Sequence, residues 1–267
     1  MHGVVEKSSG IAIIIGASSG IGENIAYCLA EKSASESVSE IWLIARRREK
    51  LLDVAETVNK KAGREISKAF CGYVTSKSFY DVLSQKLHHS GKRVSWFIKS
   101  AGNGFAGEFQ DVDVEKSYGC VELNCGATVR MTGFILPYLE KDGRIIQLAS
   151  GAAFFPQPKF AVYAASKAFV LNFSRALGEE LKPRGITVTT VCPGPCDTEF
   201  LFLANQEREL PKYKKKFMTT PEQVAKKAVS SAQKRRKLCI PSFSMKLLYV
   251  ARKLIPSKGI MFFQNKL

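Results

Sequence analysis

Tyr163 and Lys167 form a Tyr-x-x-x-Lys motif inside a segment with helical periodicity. On a helix, residues four positions apart lie on the same face, so the phenol and the amine would be neighbours. A phenol with a pKa of about 10 holds its proton too tightly to exchange it readily at neutral pH. Because a nearby ammonium group favours the phenolate and lowers that pKa, the pair suits general acid–base chemistry on a carbonyl or alcohol oxygen.

The motif is weak by itself, because Tyr73 and Tyr249 also precede a lysine by four positions. Only Tyr163 has a serine thirteen residues earlier, Ser150, which follows a strongly apolar run. The equivalent positions before the other two tyrosines carry basic residues. The alternative is an ordinary aromatic residue on a helix surface, and the serine upstream argues against it.

The elements around these residues alternate between apolar runs of strand length and segments with helical periodicity. Most of the runs are continuous rather than alternating in polarity, which is typical of parallel strands covered on both faces. The sequence therefore predicts an α/β fold with a doubly wound, Rossmann-type parallel sheet, with one domain over residues 1–242 and a basic amphipathic extension over residues 243–267. The predicted strands are 11–15, 40–45, 67–71, 94–99, 144–149, 187–192 and 237–241, and the predicted helices are about 20–32, 48–62, 76–89, 112–140, 161–182 and 221–236.

A glycine-rich turn follows the first predicted strand and opens a helix. A strand, a glycine turn and a helix in this order bring backbone amides and the positive end of a helix onto a pyrophosphate. The alternative is a tight turn that binds no ligand. The place of this turn in the first βα unit favours nucleotide binding. The predicted cofactor-binding residues of this turn are Gly16, Ser18, Ser19, Gly20, Ile21 and Gly22. Residues 102–107 fit the GxGxxG pattern of dinucleotide-binding turns and also follow a strand. Because they lie in the fourth βα unit, they are interpreted as an active-site loop.

The second predicted strand ends in Ala45, and Arg46 and Arg47 follow it. An acidic residue at this strand end would bind the ribose hydroxyls of NAD, and a carboxylate there would repel a 2′-phosphate. Two guanidinium groups instead suit a phosphate dianion, which favours NADP(H) over NAD(H). The alternative is that these arginines only begin a solvated helix.

Taken together, these motifs resemble the short-chain dehydrogenase/reductase family. The resemblance covers roughly residues 10–200 and rests on motifs in the family's order: Gly16–Gly22 (GASSGIG), Ser150, Tyr163-Ala-Ala-Ser-Lys167, and Pro193-Gly194 with Thr198. It implies an NADP(H)-dependent oxidoreductase that transfers hydride between the nicotinamide and a carbonyl or secondary alcohol. Homodimers or homotetramers are usual in the family.

The resemblance also implies the role of each residue. Tyr163 would be the general acid/base, Lys167 would also bind the nicotinamide ribose, and Ser150 would hydrogen-bond the substrate oxygen where charge develops. Asn124 would hold a proton-relay water, unless it is only a polar residue that bends a helix. The turn with Pro193, Gly194 and Thr198 would lie under the nicotinamide, and Ala101 and Gly102 would contact the cofactor.

Two positions depart from the family's pattern. The Asn-Ala-Gly that the family carries after the fourth strand is here Ser100-Ala101-Gly102, so the contacts of that asparagine are in question. The acidic residue near the adenine is replaced by Tyr73, which precedes Val74. Adenine would then be bound by stacking or by the backbone. Neither departure removes a catalytic group.

The net charge of +16 is concentrated in one part of the chain. Residues 208–267 carry 16 Lys and Arg against two acidic residues, which gives +14 of the total. A local excess argues against a nucleic-acid partner. Beside the apolar residues 200–203, the lysines at 212 and 214–216 would suit a small-molecule substrate with an apolar body and an anionic group, although a solvated lysine run is an equal alternative.

The tail places Phe243, Leu247, Val250 and Leu254 on one helical face. Such a face could contact an anionic membrane peripherally, or pack on the domain or on a partner subunit. The chain shows no metal-ligand spacing, no signal-peptide core and no span of membrane length, and its seven cysteines are scattered, which favours reduced thiols and a cytoplasmic location. A catalytically silent nucleotide-binding scaffold and a membrane-surface or nucleic-acid binder are the alternatives to the enzyme.

Overall fold

A parallel sheet of seven strands forms the centre of the protein. The computed structural model describes residues 10–204 and 218–254. The strand order is β3-β2-β1-β4-β5-β6-β7, and every neighbouring pair is parallel. The strands are β1 (Gly10–Ile15), β2 (Val38–Ala45), β3 (Ser67–Cys71), β4 (Val94–Lys99), β5 (Leu139–Leu148), β6 (Thr187–Val191) and β7 (Leu238–Cys239).

Helices cover both faces of the sheet, as the continuous apolar strands predict. The helices are α1 (Gly20–Glu31), α2 (Arg48–Ala62), α3 (Lys77–Ser90), α4 (Val114–Val121), α5 (Ala127–Ile135), α6 (Ala161–Glu180), α7 (Glu199–Ala204), α8 (Pro221–Gln233) and α9 (Phe243–Leu254). Alternate residues of β1 enter opposite cores. Ala12 and Ile14 pack with α1, α2 and α8, whereas Ile11, Ile13 and Ile15 pack with α3, α5 and α6.

This topology fixes where a ligand can bind. The chain moves from β1 outward to β2 and β3, and then returns to the other side of β1 with β4. The loops after β1 and β4 therefore leave in opposite directions and open a crevice at the carboxyl ends of the strands. The glycine turn, Ser150 and the start of α6 all lie at this edge. The predicted α/β fold and doubly wound sheet are confirmed.

The predicted helix 112–140 is wrong as a single element. The structure divides it into α4, a π-turn over Glu122–Gly126, and α5, which ends at Ile135. Pro137 follows and has no backbone N–H for the next helical hydrogen bond, so the helix ends and β5 begins at Leu139 rather than at the predicted residue 144. The wide π-turn has no counterpart in an apolar repeat of 3.6 residues.

Helix α9 packs on the domain with the face opposite to the predicted apolar stripe. Met245 lies against Gly151 and Gly194, and Tyr249 contacts Phe154, with ring centroids 5.0 Å apart. Of the predicted stripe, Phe243, Leu247 and Val250 are exposed, at 81%, 64% and 53%. The side chain of Leu254 lies outside the described residues, as do the lysines at 212 and 214–216.

The cysteines and helices bear on two further expectations. All seven cysteines are free, and five of them are buried, as predicted for reduced thiols. Within residues 10–204 and 218–254, none of the helices has the length and apolar character needed to cross a membrane. In the same ranges, no group of three His, Cys, Asp or Glu side chains could hold a metal ion.

Candidate active site

The glycine turn after β1 makes the close backbone contacts that its sequence predicts. Gly16 and Gly20 have positive φ values of 82° and 63°, which L side chains rarely adopt. A Cβ on Gly16 would lie 2.5 Å from the backbone nitrogen of Ala101, and one on Gly22 would collide with the Gly16 carbonyl. The turn therefore brings α1 and the loop after β4 together, with the N-terminal amides of α1 at the crevice.

Arg47 lies directly beside this turn. Its Nη2 donates to the hydroxyls of Ser19 at 2.7 Å and Ser18 at 3.3 Å, and its Nη1 donates to the Glu199 carboxylate at 2.6 and 2.7 Å. Arg46 is exposed, with its guanidinium 5.9 Å from the centroid of the Tyr73 ring. The two arginines and the hydroxyls of the turn thus form one polar rim at the β2 end of the crevice.

The loop after β4, interpreted from the sequence as an active-site loop, lies against three predicted catalytic residues. A Cβ on Gly102 would lie 2.9 Å from Asn124 Oδ1 and 3.1 Å from Lys167 Nζ. A Cβ on Gly104 would lie 2.5 Å from the Tyr163 ring. Both positions therefore need glycine for space. The loop is fixed to the glycine turn, because Ser100 and Ala101 donate their amides to the Ile15 carbonyl at 2.8 and 3.0 Å.

Asn124 lies in the π-turn and is fully buried. Its Oδ1 accepts from the Asn103 amide at 3.1 Å, and its Nδ2 lies 2.8 Å from the Asn103 carbonyl and 2.9 Å from the Ser166 hydroxyl. The side chain thus connects the loop after β4 with α6. These bonds give the amide three fixed partners on two elements. The proton-relay role of Asn124 stays a prediction.

Tyr163 and Lys167 lie one turn apart on α6, at 7% and 5% exposure. Lys167 Nζ donates to the Leu148 carbonyl at 2.9 Å and lies 5.6 Å from the centroid of the Tyr163 ring. Ser150 follows β5 and hydrogen-bonds with Tyr163, and its hydroxyl oxygen also accepts the Ala152 amide at 3.1 Å. The structure therefore brings together the three residues that the sequence predicts.

The predicted lowering of the Tyr163 pKa is wrong. Burial raises the pKa of Tyr163 to about 12, and the hydrogen bond with Ser150 only partly opposes this increase. Burial also lowers the pKa of Lys167 to about 8. At a pH where the phenol could ionise, the lysine has already lost its proton, so no ammonium remains to stabilise the phenolate. The phenol of Tyr163 therefore keeps its proton at neutral pH.

The turn after β6 completes the crevice. The Pro193 carbonyl accepts the Gly151 amide at 2.7 Å, which ties this turn to the residue after Ser150. Thr198 faces the glycine turn, since a Cβ on Gly20 would lie 3.2 Å from Thr198 Cγ2. A Cβ on Gly194 would lie 2.8 Å from Met245 of α9. Helix α9 therefore borders the turn after β6.

Tyr163 also lines a cleft that is mostly apolar. The Tyr163 ring lies between Phe160, with centroids 4.4 Å apart, and Phe200 of α7, with centroids 5.5 Å apart. Phe105, Phe109 and Val112 continue the wall of the cleft. These aromatic side chains make the surroundings of the Tyr163 ring apolar.

Sequence reasoning missed several residues of the site. Lys99 is buried beside Lys167, Ser166 contacts Asn124, Glu199 pairs with Arg47, and Met245 packs under the turn after β6. Lysine at the end of a central, otherwise apolar strand was the available signal for Lys99, since buried lysines are rare. The other three contacts join residues far apart in the chain, and no local pattern indicates them.

Comparison with known proteins agrees with this geometry. The family model for short chain dehydrogenases matches residues 10–209, which is most of the chain. The match spans the glycine turn, the predicted catalytic residues and the turn after β6. The chain belongs to the short-chain dehydrogenase family, and it is an oxidoreductase.

Three curated relatives illustrate the range of this similarity. An uncharacterised oxidoreductase of Staphylococcus epidermidis is 35% identical over 191 residues, which cover 70% of this chain and 78% of the relative. An 11-beta-hydroxysteroid dehydrogenase-like protein of Arabidopsis thaliana is 36% identical, over 71% of this chain and 60% of the relative. A very-long-chain 3-oxoacyl-CoA reductase of Phaeosphaeria nodorum is 34% identical, over 67% and 53%.

A solved structure extends the similarity to the whole fold. A short-chain dehydrogenase from Sphingobium yanoikuyae, in complex with NADPH, superposes with a TM-score of 0.77. The match covers 91% of this chain and 94% of that one at 25% identity. The doubly wound sheet and its flanking helices are therefore shared with an enzyme of the same family.

Proposed function

We propose that this protein is an NADP(H)-dependent oxidoreductase that transfers hydride between the nicotinamide and a ketone or secondary alcohol. The observation that carries the proposal is the convergence of Ser150, Tyr163, Lys167 and Asn124 at the carboxyl ends of β4 and β5, next to a glycine turn built for a dinucleotide. The family membership and the NADPH bound by a structural relative support it.

The residues of the crevice fit such a cofactor. Gly16 and Gly20 adopt positive φ values that disfavour a side chain, and a Cβ on Gly102 would crowd Asn124 and Lys167. The backbone along this edge is therefore left bare for a ligand. Arg46 and Arg47 would hold the 2′-phosphate, and Lys167 would bind the nicotinamide ribose. The remaining proposed contacts are Ser18, Ser19, Ile21, Gly22, Ala101, Pro193, Gly194 and Thr198. Bound NADPH would supply the hydride.

The side chains would supply the proton of the reaction. Because burial raises its pKa to about 12, Tyr163 stays protonated at neutral pH and can donate its proton to the carbonyl oxygen when hydride is delivered to the carbonyl carbon. Ser150 would hold that oxygen through its hydroxyl where negative charge develops. Lys167, with a pKa of about 8, and the proposed water on Asn124 would return a proton to the phenol.

The substrate we propose is a ketone, hydroxysteroid or 3-oxoacyl compound with an apolar body. The rings of Phe160 and Phe200 beside Tyr163 support an apolar body, and the names of the relatives support these classes. An anionic group on the substrate stays a prediction from the lysines at 212 and 214–216. Assembly as a homodimer or homotetramer, and peripheral membrane contact through α9, are likewise predictions, testable by native mass and by vesicle sedimentation.

The decisive test is Tyr163→Phe, which removes the acidic hydroxyl and keeps the ring. A panel of ketones, 3-oxoacyl thioesters and ketosteroids is offered with NADPH, and loss of the reduced-cofactor absorbance is followed. We expect the rate to fall at least about 100-fold, because general acid catalysis is removed. NADPH binding, measured by its fluorescence, should change by less than about twofold.

Tyr249→Phe is the matched control, since Tyr249 also precedes a lysine by four positions but lies on α9, where its ring packs on Phe154 rather than with the rings around Tyr163. It should keep the wild-type rate. Equal rates for wild type and Tyr163→Phe would refute the enzyme mechanism. A wild type that binds NADPH but reduces nothing in the panel would favour the catalytically silent scaffold.

A further inference from the structure

A second buried lysine lies next to the catalytic one and has no part in the mechanism above. Lys99 is the last residue of β4, in the middle of the sheet, and is only 3% exposed. The titratable groups that face it are Lys167 of α6, Cys120 of α4 and Cys125 of the π-turn. Because burial raises the pKa of both thiols, none of the three supplies a negative charge at neutral pH. A lysine in such a position must be held by polar backbone.

Two backbone carbonyls hold the amine. Lys99 Nζ donates to Ala101 O at 2.6 Å and to Leu123 O at 2.8 Å. Ala101 belongs to the loop that abuts Gly16 and bonds to the end of β1, so it lies on the cofactor side of the crevice. Leu123 immediately precedes Asn124 in the π-turn. One amine therefore bridges the nucleotide-binding side of the site and the turn that carries Asn124.

The π-turn depends on side chains to hold its carbonyls. Lys99 donates to the carbonyl of Leu123, and the Thr128 hydroxyl donates to the carbonyl of Asn124 at 2.6 Å. Since a wide turn departs from the regular hydrogen bonds of a helix, such outside donors fix its shape. The shape in turn sets the direction of the Asn124 amide toward Asn103 and Ser166.

We propose that Lys99 is a positioning residue of the catalytic centre, whose amine holds the π-turn against the loop after β4 and so aims Asn124 at the active site. The inference rests on the proposed function for its kinetic consequence but not for its structural one. Lys99 does not touch the reacting atoms; it acts through Asn124.

The electrostatics of Lys99 agree with this role. Burial lowers the pKa of Lys99 well below its ordinary value, and the nearby charge of Lys167 lowers it further. The side-chain nitrogen carries at least two N–H bonds whether or not it is charged, so it can donate to Ala101 O and Leu123 O in either state.

The first test measures the structural consequence and needs no turnover. Lys99→Met keeps the length and apolar character of the side chain but removes its donors. Hydrogen–deuterium exchange should increase at least about 10-fold in peptides covering residues 100–104 and 122–127, because the Asn103 amide loses its fixed partner. Thr189→Val is the control, since Thr189 is fully buried and its hydroxyl bonds Arg236 O at 2.7 Å, outside the site. It should leave both peptides unchanged.

The second test is a double-mutant cycle with Asn124→Ala, using NADPH and the panel ketone that is reduced fastest. Lys99→Met should lower kcat about 10-fold or more in the wild-type background, with the Kd of NADPH within about threefold. In the Asn124→Ala background it should lower kcat less than about threefold, because the residue that it positions is already gone.

The same fold-loss in both backgrounds, or no increase in exchange at the two segments, would overturn the proposal. If Lys99→Met does not fold, Lys99→Gln keeps a shorter donor and should show the same pattern with smaller effects; wild-type exchange and kinetics in that variant would equally overturn it. Failure of the proposed function is a different result: wild type would then lack NADPH-dependent turnover, while the exchange difference would still report on the positioning role.

Discussion

The two ends of the crevice are built on different principles. At the catalytic end, Lys99, Asn124 and Lys167 are buried, and their partners are mainly backbone groups at fixed positions. At the rim beside β2, Arg47 and Glu199 form an ion pair whose side chains are each 40% exposed. Both ends lie along the same edge of the sheet.

This difference determines how each end responds to change. In a buried site, a lost hydrogen bond leaves its partner unsatisfied, and the cost does not depend on salt. At an exposed rim, water and ions screen each pair, so a single ion pair contributes about 0 to 1 kcal/mol. Substitutions at the catalytic end should therefore have large effects that resist salt, and substitutions at the rim should have smaller effects that salt weakens.

Lys167→Met should give the largest combined effect at the catalytic end. Turnover should fall at least about 100-fold, because the proposed proton path and ribose contact are both lost. The free energy of unfolding at pH 7 should nevertheless increase by about 2 kcal/mol. The pKa of Lys167 drops from 10.5 to about 8 on folding, a cost of about 3 kcal/mol, and the bond to Leu148 O returns about 1 kcal/mol.

The sign can be checked against pH. Since Lys167 binds its proton more weakly in the folded protein, the unfolded chain holds more protons between about pH 8 and pH 10, and wild-type stability should increase over that range. Urea unfolding at several pH values should show a smaller increase for Lys167→Met. Lys86→Met, at an exposed lysine of α3, is the control and should follow wild type. Lower stability of Lys167→Met at pH 7 would contradict the prediction.

Asn124→Ala should lower kcat about 10- to 100-fold, because the loop after β4 loses the amide that joins it to α6. The KM for the ketone should change much less. Raising the salt concentration to 0.5 M should leave the fold-loss unchanged, as expected of a buried contact. Glu122→Gln, an exposed position of the same π-turn, should behave as wild type. A loss that appears only in KM would place Asn124 in substrate binding instead.

The sequence predicts one kind of contact well. The apolar runs of β1 and β4, and the glycine turn between β1 and α1, are local patterns, and the structure has them where they are predicted. Ser150, Tyr163 and Lys167 meet because strand ends and helix starts share one edge of a parallel sheet. Topology alone therefore brings these residues together, once the order of the elements is known.

The remaining features depend on contacts between distant segments. Donors from β4 and α5 hold the carbonyls of the π-turn. Because hydrophobic periodicity does not reveal these contacts, residues 112–140 were predicted as one plain helix. Glu199 lies 152 residues from Arg47 in the chain, and neither residue indicates the other. The raised pKa of Tyr163 is also a consequence of burial, which a motif does not reveal. Each of these is a property of packing rather than of spacing.

Arg47→Ala tests the rim. Loss of one guanidinium from the proposed 2′-phosphate site should raise the Kd of NADPH about 5-fold while leaving that of NADH within about twofold, since NADH carries no such phosphate. The loss should shrink at 0.5 M salt. Arg48→Ala, which makes the same charge change one residue later, should have a much smaller effect. Equal losses for both cofactors would reject a phosphate-binding role for Arg47.

Glu199→Gln should give the smallest effect, and in the opposite direction. The Glu199 carboxylate accepts from Nη1 of Arg47 and lies 3.4 Å from Lys50 Nζ, so it would compete with the proposed 2′-phosphate for the same cations. Removing its charge should lower the Kd of NADPH about threefold, within the range of an exposed ion pair, and leave NADH unchanged. Fluorescence titration measures both constants.

The matched control for this change is Glu222→Gln, which breaks the exposed pair with Lys226 on α8, away from the crevice. It removes the same charge and should leave both cofactor affinities unchanged. The two salt responses then separate the ends of the crevice: the gain from Glu199→Gln should vanish at 0.5 M salt, because it is a screened competition between anions. A gain that persists at high salt would mean that Glu199 acts through the conformation of α7. Phe200, the residue after Glu199 in that helix, packs on Tyr163. The rim would then be coupled to the buried end rather than distinct from it.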